Sequence, residues 1–106
     1  MLYGELTLAT PEKLNASLCE RFMELRGSER IRQSHYFGER FENIYINEAD
    51  IPEISKVLDL MKQQAGQLLD MPVDALKAGF WFNAMEAGHR TTLHHHDEND
   101  ELLSCL

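Results

Sequence analysis

Three consecutive histidines, His94, His95 and His96, run into four carboxylates, Asp97, Glu98, Asp100 and Glu101. Imidazole nitrogen and carboxylate oxygen are donors that first-row transition metals accept, and two histidines with one carboxylate leave open positions on an Fe(II) ion. On an extended strand the side chains at i and i+2 share a face, so His94 and His96 project together while His95 points away. Along a strand those two rings are about 6–7 Å apart, close enough to converge on one ion. Asp97 and Glu101 are the acids placed to complete the set, whereas Glu98 and Asp100 read as solvated turn charges. A shift by one residue pairs His95 with Asp97 on the opposite face, and the residues alone leave both registers open. A solvated hairpin tip is the competing reading. An expression tag is a weaker one, because ten residues of ordinary sequence follow the third histidine.

Gly88, five residues, His94, one residue, His96, four residues and Glu101 is similar to the first metal-binding motif of the cupins, whose last glycine would fall beyond Leu106. The longer stretch from Trp81 to Ser104, WFNAMEAGHRTTLHHHDENDELLS, resembles the 2-oxoglutarate- and Fe(II)-dependent oxygenases of bacteria. Those proteins carry a Trp-Phe-Asn-type strand, a glycine turn, His-x-His and a Leu-Ser before the next strand. Both families are built on the double-stranded β-helix. The resemblance therefore implies N-terminal helices packed on a partial antiparallel jelly roll of that kind. It also implies Fe(II) as cofactor, 2-oxoglutarate as cosubstrate, and oxidation of a small-molecule or protein substrate that the residues do not name. Under it the metal ligands are drawn from His94, His96, Asp97 and Glu101. Trp81, Asn83 and His89 then line the substrate side or support the ligands.

The family's distal histidine, and the basic residue that binds 2-oxoglutarate, lie on strands later than those this sequence reaches. The expectation is an N-terminal portion of a longer barrel, a truncated product, or a half-barrel completed by another copy. Such a chain is expected to be inactive alone and homo-oligomeric through an open strand edge. A cupin-type metal-binding protein and a non-catalytic self-associating domain are the alternative readings.

The elements that must position these residues follow from periodicity. Thr10 before Pro11 predicts a helix start, and Leu14, Leu18, Phe22 and Leu25 form one apolar stripe that ends near Gly27. Asp50 and Glu53 stand at capping-box spacing and predict a second helix, whose stripe Ile54, Leu58, Met61, Ala65 and Leu68 runs to about residue 69. Pro72 and Asp74 predict a turn. Leu2 to Thr7 alternates weakly, as a short strand would; residues 28–40 are polar and aperiodic and read as a loop; FENIYI, residues 41–46, reads as a strand. Phe80, Phe82 and Ala84 then alternate with Trp81, Asn83 and Met85, with both Trp81 and Phe82 expected to be buried. Glu86-Ala87-Gly88 reads as a turn, and strands are expected over 90–96 and 101–106. Helices first and packed strands last make an α+β chain. It reads as one domain, 1–106, with a helical and mixed part to residue 77 and the first β-helix strands from 78 onward.

Composition excludes several function classes. The formal charge of -8 and the lack of any basic run denser than Arg26, Arg30 and Arg32 argue against a nucleic-acid or anionic-membrane partner. No apolar run approaches the roughly 18 residues of a membrane span. Cys19 and Cys105 form no disulfide framework, and MLYGELTLAT has no basic n-region, so the expected compartment is the cytoplasm.

Overall fold

In the computed structural model, which describes residues 3–91 and 102–105, a β-hairpin lies between two helices along the chain. Helix α1 spans Pro11–Leu25 and helix α2 spans Ser55–Leu69; strands β1, Ile31–Phe37, and β2, Arg40–Ile46, lie between them. Short 3-10 turns occupy Glu48–Asp50, Pro52–Ile54 and Val73–Ala75. The chain is thus a mixed α+β fold.

α1 forms where the stripe predicts it, with Pro11 in the first turn, although the Thr10 hydroxyl makes no capping hydrogen bond. α2 starts later than expected. Ile51 precedes Pro52, whose ring disfavours helical geometry in its neighbour, and Ile51 is non-helical at φ -137° and ψ 67°. The helix cannot cross that residue, so the chain takes two tight turns and begins α2 at Ser55. The expected capping box does not form: Asp50 accepts an ion pair from Arg30 at 2.9 Å, and Glu53 one from Arg21 on α1 at 3.0 Å. These two acids tie the elements together instead of capping the helix.

The segment read as a loop contains β1. Its register runs from Ile31 opposite Ile46 to Phe37 opposite Arg40, closed by the two-residue turn Gly38-Glu39. Both turn residues have positive φ, 62° and 67°, the condition for a type I′ turn whose twist matches its strands. β1 shows no period-two burial because cross-strand hydrogen bonding, more than an apolar face, holds it in place. β2 does alternate: Arg40, Glu42, Ile44 and Ile46 are buried, with Phe41, Asn43 and Tyr45 on the other face.

The predicted strand over 78–85 is an extended segment joined to β2 through one antiparallel bridge, Ile44 to Phe82, with both backbone hydrogen bonds at 2.8 Å. No strand forms over residues 3–7, nor over 102–105, and most of the expected strand 90–96 lies outside the described residues. Phe22, Ile44, Ile46, Ile51, Ile54 and Leu58 make the buried core, with Phe80, Phe82 and Ala84 packed against it. The two faces of the extended segment divide as the alternation predicts. The expectation that Trp81 is buried is corrected, because its side of the segment faces away from the core and it stays 46% exposed. Among the described residues no helix is long and apolar enough to cross a membrane.

Candidate functional site

The proposed metal ligands His94, His96, Asp97 and Glu101, together with His95, lie outside the described residues. The residues that lead to them are described, and β2 organises them. Period two carries the core face of β2 back from Ile46 and Ile44 to Glu42 and Arg40, so two charged residues are drawn inward, at 6% and 9% exposure.

Arg40 finds acceptors for its two terminal nitrogens on the next segment. Nη1 donates to Asn83 Oδ1 and, at 3.5 Å, to the carbonyl of Ala84. Nη2 donates to the carbonyl of Arg90 at 3.3 Å. The side chain of Arg90 lies over the Phe37 ring, 6.0 Å from its centroid. Between these contacts the chain reverses at Glu86-Ala87-Gly88-His89, closed by the His89 N–H donating to the Glu86 carbonyl at 3.0 Å. Gly88 supplies a φ of 87°, which a side chain would strain.

Asn83 and His89, expected beside a metal or substrate, therefore both have local structural partners. The Asn83 carbonyl oxygen serves Arg40, and His89 Nδ1 accepts the Glu86 N–H at 2.9 Å. That bond places the lone pair of the neutral ring on Nδ1 and the proton on Nε2. Trp81 stands beside Tyr45 with ring centroids 6.5 Å apart, on the opposite side of the segment from Phe82.

A second polar group lies on the outer face of the hairpin. His35, exposed as a surface residue should be, has a φ of 62° in the middle of β1. Its Nδ1 is 2.7 Å from Ser34 Oγ, which in turn donates to the Tyr45 hydroxyl at 3.3 Å. Asn43 Nδ2 donates to the same hydroxyl at 2.9 Å, and the Arg32 guanidinium sits over the Tyr45 ring. This network holds the outer face without gathering metal donors. Among the described residues no group of three or more His, Cys, Asp or Glu side chains is placed to hold a metal ion.

Arg40 was not singled out as a candidate on the sequence. The signal was nonetheless there, in RFENIYI read two residues at a time from Ile46 backwards. Comparison of the chain with protein-family models, with curated proteins and with solved structures finds no match.

Proposed function

We propose that the chain is a 2-oxoglutarate- and Fe(II)-dependent oxygenase-like protein, its extended segments forming strands of a double-stranded β-helix. The observation that carries this reading is the ordered motif Trp81-Phe82-Asn83, Gly88, His94-x-His96 and Glu101. Two described features support it: Phe82 is bridged to β2 at Ile44, and Gly88 forms the turn the motif calls for. Two imidazoles and a carboxylate are a donor set that suits Fe(II). His94 and His96 would hold the ion with Asp97 or Glu101, and the bound metal would supply oxidation coupled to decarboxylation of 2-oxoglutarate. The chain's own part would be to orient those donors and keep water from them; Phe80, Phe82 and Ala84 anchor the segment that precedes them on the core.

Calorimetric titration of Co(II) or Mn(II), as surrogates for Fe(II), into the wild type and into His94→Ala, His95→Ala and His96→Ala tests the reading. Losses at positions 94 and 96 that far exceed the loss at 95 support it. Equal losses, or a wild type that binds no metal, overturn it. Self-association is a second reading, favoured by the exposure of Tyr36, Trp81, Met85 and Leu102. A mass from light scattering that rises with concentration would support it.

A further inference from the structure

Arg40 is a cation withdrawn from water and held by neutral oxygens. Among the described residues its partners are one carboxamide and two backbone carbonyls, and its buried Nε has no partner among them. Removing a guanidinium from water is costly unless its geometry is well satisfied, so a buried arginine places strong demands on the groups around it. These groups have a notable arrangement. Asn83 and Ala84 lie on the leg that enters the Gly88 turn, and Arg90 lies on the leg that leaves it. The planar guanidinium, with nitrogens fixed relative to one another, spans both legs at once. The leaving leg is held a second time, by Arg90 over Phe37, the residue that pairs with Arg40 across the hairpin end. A Cβ on Gly38 would stand 3.7 Å from the Arg90 carbonyl, so this leg rests against the hairpin turn itself.

We propose that Arg40 is a positioning residue: it clamps the two legs of the Ala84–Arg90 loop to the end of the β-hairpin, and so fixes where the chain departs at Thr91, three residues before His94. The part that concerns the histidines rests on the metal-binding reading above; the clamp itself does not. A lysine at position 40 keeps the charge but presents one ammonium point, which cannot bridge both legs.

Amide hydrogen exchange of the metal-free full chain, followed by Co(II) titration, tests both parts in wild type, Arg40→Lys and Asn83→Ala. In Arg40→Lys, exchange of the hydrogen-bonded amides within 84–90, those of Glu86 and His89, is expected to quicken about tenfold or more, as loss of a charge-assisted hydrogen bond predicts, with the amides of α2 and β2 unchanged. Co(II) affinity is expected to fall by about tenfold, the low end of the cost of losing a group bonded directly to a metal ligand, because Arg40 acts through the loop. A general loss of folding would not move exchange in that one loop alone. Unchanged exchange over 84–90 overturns the clamp, whether or not the wild type binds metal. Quickened exchange with unaltered Co(II) affinity overturns the positioning of the histidines. A wild type that binds no Co(II) refutes the metal reading and the histidine part with it, and leaves exchange to decide the clamp. If Arg40→Lys unfolds the whole chain, Asn83→Ala decides by the same criteria.

Discussion

Phe82 and Trp81 are neighbours of similar size on opposite sides of one segment, so truncating each measures how much the segment's two faces contribute. Phe82 packs on Phe22 at a centroid distance of 5.1 Å and meets Phe80 edge-on at 5.9 Å, while its backbone makes both bonds of the bridge to Ile44. A fully buried phenylalanine cut to alanine costs about 3–5 kcal/mol. Phe82 is only partly covered, which lowers that figure, but two ring contacts worth about 0.5–1.5 kcal/mol each go with it, so about 3 kcal/mol is expected. Trp81 is 46% exposed, with the Tyr45 ring 6.5 Å away; the covered half of its surface, at about 25 cal/mol per Å², puts its truncation at about 2 kcal/mol. With a urea slope of about 1.5 kcal/mol per molar, Phe82→Ala should lower the unfolding midpoint by about 2 M and Trp81→Ala by about 1 M. Against a total of about 5–15 kcal/mol for a domain, the first loss is severe. The experiment is chemical denaturation followed by far-UV circular dichroism, which does not depend on the tryptophan. Equal shifts, or a larger one for Trp81→Ala, would refute the assignment of the inner and outer faces.

Other perturbations probe the rest of the fold. Glu53 is held below the ordinary carboxylate value of 4.5 by its hydrogen bond from Arg21, against an opposing effect of burial. Its contribution is therefore fully present above about pH 4.5 and is lost as pH falls through the depressed value, so the acid limb of the stability curve should be shallower in Glu53→Gln than in wild type; superimposable limbs would contradict this. Gly66→Ala should destabilise although helix propensity favours alanine by about 1 kcal/mol, because the new Cβ would lie 2.8 Å from the backbone carbonyl oxygen of Met71; a raised melting temperature would refute it. Ile51, 0% exposed, should cost about 2–5 kcal/mol when cut to alanine, read as a fall of ten degrees or more in melting temperature.

Local sequence signals were sufficient wherever structure depends on neighbours along the chain. The stripes of α1 and α2, the turn at Gly88 and the alternation of 80–85 each need only a period or a single backbone requirement, and each appears in the structure. The delayed start of α2 belongs to the same class, since the residue before Pro52 already carries the restriction. β1 does not belong to it. Its residues have no apolar rhythm, and only the partner strand across Gly38-Glu39 makes them a strand, because backbone hydrogen bonds are indifferent to side-chain type. The inward turn of Arg40 is likewise a matter of tertiary structure: period two placed it on the core face, but burial is tolerable only because Asn83, Ala84 and Arg90, distant in sequence, bring their oxygens to it. The same holds for Trp81, whose type suggested burial. Hydrophobicity states what a side chain gains if covered, and only the packing of the segment on β2 determined that Phe82, and not Trp81, would be covered.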